Sequence, residues 1–269
     1  MTDKAVIMAR GVGSRMRARD AGAELTAAQR AAASQGAKGM MPIRRPFLDY
    51  VLHVLADAGY RRVCLVIGPD HAQIREYYSS APRRRLEIFF AIQEQPRGTA
   101  DAIAAAEPFV GDDFFLAINS DNYYPLEACR ALRLLGEAAV ASFEREVLIR
   151  EGNIGPERIA KFAALSVTDD GYLDRIIEKP GADVLAALKP PVGVSMNCWM
   201  LPPSIFKACR EVPLSPRGEY ELPDAVMLLQ RRDAERFRVV PVSAPVLDLS
   251  TQSDISAVTA RLADLEVEL

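Results

Sequence analysis

Ala5-Val6-Ile7-Met8-Ala9-Arg10-Gly11-Val12-Gly13-Ser14-Arg15 is the stretch from which the fold is read. Lys4 to Ala9 is an apolar run of strand length, and it passes directly into a glycine turn that carries a hydroxyl and an arginine. In an open α/β sheet, the loop at the carboxyl end of the first strand is a usual place for phosphate. Glycine lets backbone N–H groups approach an anion, and arginine adds a planar fork of donors. The turn is no dinucleotide fingerprint, because Met16 stands where the third glycine would fall, and no Gly-Lys-Ser/Thr ending marks it as a P-loop. Taken alone, it reads equally well as a phosphate cradle or as a plain strand-to-helix turn.

Working outward, strand and helix signals alternate. Phe47 to Ala58 places Leu48, Val51, Leu52 and Leu55 on one helical face. Val63 to Ile67 is a short apolar strand, Asp70 is placed to cap a helix to Tyr78, and Leu86 to Ile92 is extended. Thr99 to Ala106 is helical, Phe114 to Ile118 is a buried-type strand, Leu126 to Leu135 is helical and Ala138 to Phe143 is extended. This rhythm predicts a largely parallel sheet covered on both faces. Ala18 to Ala37 interrupts it as a flap beside the glycine turn, with Thr26 capping a short helix from Ala27 to about Ser34.

The second half is less regular. Lys161 to Val167 and Tyr172 to Ile177 read as a hairpin through Asp169-Asp170-Gly171. Val192 to Leu201 and Phe237 to Val242 are strands; Pro202 to Cys209, Leu222 to Gln230 and Ser253 to Leu265 are helices. The expectation is one unit over 1–269, with a nucleotide-type half at about 1–145 and a second half at about 146–269 that completes a pocket.

Composition narrows the function. The chain has 269 residues, is 49% hydrophobic and carries a net charge of −3, so it can bury a core and presents no general nucleic-acid or membrane surface. No apolar stretch approaches the roughly 20 residues of a membrane span. A strand begins within a few residues of Met1, which predicts no signal peptide and a cytoplasmic protein. Arg83-Arg84-Arg85 reads as a solvated turn. Cys64, Cys129, Cys198 and Cys209 lack paired spacing and read as reduced, mostly buried thiols; His53 and His71 are unclustered and read as structural. Oligomeric state, including a homo-oligomer, stays open.

Several residues could carry chemistry, each beside a plainer reading. Asp121 follows the strand ending at Ile118 and suits Mg²⁺, which takes one or two carboxylates plus phosphate oxygens; it equally suits an Asx-turn. Gln93, with Gly98-Thr99 following, offers a donor and an acceptor for a base edge, or marks a helix start. Glu178-Lys179-Pro180 holds a carboxylate and an ammonium at a strand end, or forms an exposed charged turn. Lys38 could reach phosphates gathered at Gly11 to Arg15, or lie on the surface. Asp248 sits in an apolar stretch, so it requires a cation or several donors; with Asp121 it could complete a magnesium site.

These segments together resemble the sugar-1-phosphate nucleotidyltransferases of the glucose-1-phosphate thymidylyl- and uridylyltransferase type. The family opening Leu-Ala-Ala/Gly-Gly-x-Gly-Thr-Arg is similar to Met8 through Arg15, and its Lys-Pro-x-x-Pro-Ile element to Lys38-Gly39-Met40-Met41-Pro42-Ile43. Pro46-Phe47-Leu48-Asp49-Tyr50 resembles the start of the next helix. Gln93 with Gly98-Thr99, Ser120-Asp121-Asn122, Glu178-Lys179-Pro180, Gly218-Glu219-Tyr220-Glu221-Leu222-Pro223-Asp224 and Leu247-Asp248-Leu249-Ser250-Thr251 follow in family order. The chain departs at Arg10, where the family has a small residue, at Gly39 for proline, in the longer flap, and at Ser195-Met196-Asn197 for Asn-Ala-Gly.

The resemblance implies a Rossmann-like mixed, mostly parallel sheet flanked by helices, of the nucleotide-diphospho-sugar transferase type, with a smaller sugar-binding β region. It implies partners, a nucleoside triphosphate (UTP or dTTP favoured) and a sugar 1-phosphate, and a Mg²⁺ cofactor held by Asp121 and Asp248. It further implies that Arg15, Lys38, Lys179 and Asp121 are catalytic. Ala9, Gly11, Gly13, Ser14, Gln93, Gly98 and Thr99 would bind the nucleotide, and Glu178, Asn197 and Glu219 the sugar. The other readings are a non-catalytic nucleotide or nucleotide-sugar sensor on the same fold and nucleotidyl transfer to a non-sugar phosphate acceptor.

Overall fold

The structure is a computed structural model that describes residues 1–269 except 19, 21, 81–83, 189 and 191, with the backbone alone at 182 and 186. The strands are β1 (Lys4–Met8), β2 (Arg62–Ile67), β3 (Glu87–Ile92), β4 (Phe115–Asn119), β5 (Asn122–Tyr123), β6 (Ala139–Glu144), β7 (Ala164–Val167), β8 (Leu173–Ile177), β9 (Gly193–Leu201), β10 (Arg238–Val242) and β11 (Leu247–Asp248). One nine-stranded sheet runs β10-β6-β9-β4-β1-β2-β3, with β7 and β8 joined to it through β9. The β1–β2, β2–β3, β1–β4 and β6–β10 pairs are parallel, whereas β9 is antiparallel to both β4 and β6. The expected mixed, mostly parallel sheet flanked by helices is what the chain forms.

Every residue of β1 is buried, because successive side chains feed two different cores. Ala5 and Ile7 join the face packed by helix Phe47–Asp57 and helix Leu126–Leu135. Val6 and Met8 join the opposite face, under helices Thr99–Ala105, Ile205–Glu211 and Leu222–Asp233. Parallel β1, β2 and β4 therefore deliver their following loops to one edge of the sheet. Antiparallel β9 pairs Ala117 with Trp199, and its earlier residues, Ser195 to Asn197, approach that same edge.

The flap is packed rather than loose. Thr26 Oγ1 accepts from the Gln29 backbone N–H, Gln29 Oε1 accepts from the Thr26 N–H, and the capped helix Ala27–Gln35 ends at left-handed Gly36. Gln252 ties its other limb down, accepting from Asp20 N and donating to the Met16 carbonyl.

Several boundaries differ from the sequence expectation. The helix after β2 is Ala72–Ser80, so Asp70 lies outside the capping position and faces Arg10 at 3.8 Å. Residues Lys161 to Ala163 are not in the hairpin strand, which begins at Ala164. The helix expected at Pro202 starts at Ile205 and continues to Glu211; Pro213 then holds Val212 extended. The closing helix stops at Leu262. Helices Arg145–Glu151 and Pro156–Ile159 carry too few residues to show a period. Arg83 of the arginine run lies outside the described residues. All four cysteines are free and buried. Among the described residues, no helix is long and apolar enough to cross a membrane.

Candidate functional site

A cavity of about 750 Å³ opens at the edge where these loops collect. Its wall includes Ala9, Gly11, Arg15, Lys38, Gln93, Gly98, Thr99, Asp121, Glu178, Asn197, Glu219 and Asp248, which the sequence had singled out. Gly13, Ser14 and Lys179 are not in the wall. Gly13 is turned against Gly36, Ser14 begins the short helix Ser14–Arg17, and Lys179 is exposed in a left-handed conformation at φ 45°.

At the end nearest β1, Lys38 Nζ donates to Asp121 Oδ2 at 2.8 Å. Asp121 follows β4, and the short β5–β11 pair sets Asp248 opposite Asn122, beside it. Asp248 is buried, and its carboxylate accepts from Arg158 Nη2 at 2.5 Å and from Asn122 Nδ2 at 3.1 Å. Asn153 holds its backbone from both sides, donating to the carbonyl at 2.7 Å and accepting from the N–H at 2.8 Å. Burial pushes the Asp248 carboxyl up, the negative charge of Asp121 adds to that, and Ser250 and Arg158 oppose it. The buried carboxylate thus has the cation it required, and that cation is Arg158. Arg158 also bonds Asp254 at 2.6 Å, so one guanidinium bridges two buried acids.

Among the described residues, no cluster of three His, Cys, Asp or Glu side chains is placed to hold a metal. Two carboxylates with mutual repulsion remain, and their oxygens have lone pairs beyond the hydrogen bonds to Lys38, Arg158 and Asn122. That donor set fits Mg²⁺, whose other ligands are phosphate oxygens and water.

Further along the cavity, Gln93 Nε2 donates to the Gly98 carbonyl at 3.0 Å and to Asp101 Oδ2 at 2.8 Å. Both partners only accept, so the orientation of the amide is determined and its Oε1 is left as the acceptor. Gly98 has φ 119°, and a Cβ there would lie 2.4 Å from the Tyr220 carbonyl oxygen. Thr99 Oγ1 accepts from Leu222 N at 2.8 Å. The Gly98-Thr99 turn is therefore docked on the Gly218–Leu222 segment, and the two motifs form one wall.

The far end is acidic with interspersed cations. Glu178, Glu219 and Glu221 line it, with Arg217 and Lys161. Packing against the wall raises the Glu178 carboxyl; Arg217 opposes this, and Glu221 and Asp224 add to it. Asn197 adopts a left-handed conformation at φ 54°, which Asn tolerates better than most residues. Buried Tyr124 fixes its approach by donating to the Met196 carbonyl at 2.7 Å.

Arg217, Lys161 and His71 also line the cavity and were missed in the sequence reading. A cation directly before Gly218-Glu219 was a usable signal for Arg217; nothing in the sequence marked His71. Its ring Nδ1 accepts from the Gly68 N–H at 3.4 Å, and burial lowers its pKa, with Arg10 acting the same way and Asp70 against.

Residues 4–242 match the model of a family described as nucleotidyl transferase. The UTP–glucose-1-phosphate uridylyltransferase AglF of Haloferax volcanii is 26% identical over 263 residues, covering 97% of each chain. The low-salt glycan biosynthesis nucleotidyltransferase Agl11 of the same organism is 27% identical over 236 residues; the match takes in 84% of this chain and 57% of that protein. A UDP-glucose pyrophosphorylase solved with UDP-glucose superimposes with a TM-score of 0.76 at 16% identity, covering 98% of this chain and 99% of that one. A UTP-bound enzyme from Acinetobacter baumannii gives 0.75 at 18% identity, covering 99% and 96%. The glycine turn, the carboxylate pair and the docked Gln93 wall thus stand on a fold and a sequence frame that relatives share along nearly the whole chain, and the protein belongs to the nucleotidyl transferase family.

Proposed function

We propose that this cavity transfers a nucleoside monophosphate from UTP or dTTP to a sugar 1-phosphate, releasing pyrophosphate. The observation that carries this is the convergence of Lys38, Asp121 and Asp248 beside the Gly11–Arg15 turn, with a carboxylate-lined wall at the other end of the same cavity. A phosphate oxygen of the sugar 1-phosphate attacks the α-phosphorus; the new P–O bond forms as the bond to pyrophosphate breaks. The nucleophile is already an anion, so no general base is needed, and alignment with charge neutralisation supplies the rate.

Arg15 and the Gly11 backbone hold the triphosphate. Lys38 leaves Asp121 for the α-phosphate as negative charge develops there. Asp121 and Asp248 would hold Mg²⁺, which would supply positive charge against the charge that develops on the phosphates. Gln93 Oε1 accepts the N3–H of uracil or thymine; cytosine presents a lone pair there and is disfavoured. Glu178, Asn197 and Glu219 accept from or donate to sugar hydroxyls. Arg217, which lines the cavity, supplies a cation for the sugar phosphate in place of Lys179, which lies outside the wall. The first half of the chain thus handles the nucleotide and the second half the sugar phosphate.

A second reading, a nucleotide or nucleotide-sugar sensor, draws on the same ion pairs, since Lys38 and Arg158 already neutralise both carboxylates. A matrix of triphosphates against sugar 1-phosphates, read by pyrophosphate release, separates the two. Release that needs both substrates supports transfer. Tight nucleotide binding with no release for any pair supports the sensor.

A further inference from the structure

Arg10 begins the loop after β1, yet its side chain does not turn towards Gly11 and Arg15. It crosses the end of β2 and reaches the end of β3. Nε donates to the Gln93 carbonyl at 2.7 Å and Nη2 to the Glu94 carbonyl at 3.3 Å, while Nη1 lies 3.8 Å from Asp70. The route is a notch at Gly68: a Cβ there would stand 2.8 Å from Arg10 Nη1 and 2.9 Å from its Cζ. On either side of the notch, Ala9 N donates to the Val66 carbonyl and Gln93 N to the Ile67 carbonyl, so the three strand ends stay in register where the arginine crosses. The Arg10 side chain is only 11% exposed, and its donors are directed at protein carbonyls and a carboxylate.

From this geometry, and resting on the base-reading role given above to Gln93, we propose that Arg10 is a positioning residue for base selection. It pins the backbone of Gln93 and Glu94 from below while Gly98 and Asp101 pin the Gln93 amide from the side. The acceptor Oε1 is then held where a base must present an N–H. Only a guanidinium makes the two bonds from Nε and Nη2; a lysine ammonium is a point charge on a flexible stem and fixes neither carbonyl. The β1 loop and the base wall are therefore coupled through one side chain, and a Cβ at Gly68 would push the Arg10 guanidinium and the Asp70 carboxylate out of these positions.

The test is calorimetric binding of UTP and of CTP to the purified protein, which needs no turnover, for wild type, Arg10→Ala, Arg10→Lys and Gly68→Ala. The expected result is weaker UTP binding by about tenfold in Arg10→Ala, the worth of one well-made hydrogen bond, with CTP changed much less. Arg10→Lys fails to restore the UTP preference, and Gly68→Ala shifts it the same way as Arg10→Ala. Equal losses for UTP and CTP would make Arg10 a phosphate ligand and overturn the proposal. Unchanged binding, or a wild type without preference between the two nucleotides, would overturn it as well. If wild type prefers UTP through Arg10 but releases no pyrophosphate with any sugar 1-phosphate, the transfer reaction fails and the role of Arg10 stands.

Discussion

Gly13 and Gly36 lie back to back, so close that a Cβ on Gly13 would stand 2.4 Å from the Gly36 carbonyl oxygen and one on Gly36 2.7 Å from the Val12 carbonyl oxygen. Both adopt left-handed conformations, at φ 63° and 70°. The contact clamps the returning limb of the flap onto the Gly11–Arg15 turn, and two residues later the chain presents Lys38 to Asp121. Alanine at position 36 meets backbone it cannot displace and a conformation it resists. Gly36→Ala should cost about 1–3 kcal/mol of stability and lower kcat more than nucleotide affinity. Thermal unfolding and steady-state kinetics check both; a fully active, equally stable variant would show that the clamp is dispensable.

Among the described residues, Asp121 is the one acid in direct contact with Lys38. Asp121→Asn keeps the shape and removes the charge. Pyrophosphate release should fall by roughly 100-fold or more, the scale of losing a key electrostatic group, while unfolding stability changes little. Near-normal synthesis by the purified variant would remove Asp121 from the proposed metal site.

Arg158 touches no cavity surface but holds Asp248 and Asp254, whose side chains are 7% and 4% exposed. Arg158→Ala strands two buried carboxylates, which should cost about 3 kcal/mol. The loss should be smaller at acid pH. Burial raises the Asp248 carboxyl in the folded state, so the fold binds that proton more tightly than the unfolded chain does. Protonation relieves the stranded charge, and stability falls as pH rises through the window above the ordinary aspartate value. Urea unfolding of wild type and variant across that window measures the difference; parallel curves would contradict it.

Partial desolvation at the cavity wall raises the Glu178 carboxyl from the ordinary glutamate value, Arg217 opposes the shift, and Glu221 and Asp224 add to it. If its charged form holds sugar hydroxyls, KM for the sugar 1-phosphate should rise on acidification while KM for the nucleotide holds steady. Arg217→Ala removes the opposing charge, so the acid limb of that profile should move to higher pH. A limb that stays in place after the substitution would separate Arg217 from Glu178. Ionisation of Glu178 likewise costs stability as pH rises past the ordinary glutamate value, by the same linkage.

Much of this architecture was legible in the residues. β1, β2 and β4 are continuous apolar runs because both their faces are covered, and runs of that kind with helical spacing between them leave few alternatives to a parallel sheet. Thr26 announced its helix as a cap, and the structure adds Gln29 to complete a capping box. The antiparallel insertion of β9 between β4 and β6 was not legible, since an apolar strand has the same pattern in either direction. Helices Arg145–Glu151 and Pro156–Ile159 were missed because one or two turns show no period.

The sequence by itself determined which residue types were available: a glycine turn with an arginine, a carboxylate after a strand and another in an apolar stretch, a glutamine before Gly98-Thr99, and an acidic segment at Gly218–Asp224. Local composition and spacing suffice for that, because glycine, proline and short apolar runs act through the neighbouring backbone. Tertiary structure alone decided which of them meet. Asp248 stands beside Asp121 through the β5–β11 pair, Lys38 reaches Asp121 from a turn that follows the Gly13–Gly36 contact, and Lys179 is left outside the wall where Arg217 enters it. The reason is physical: charges and hydrogen bonds act over a few ångströms, and distances between distant parts of a chain follow from packing rather than from order along it.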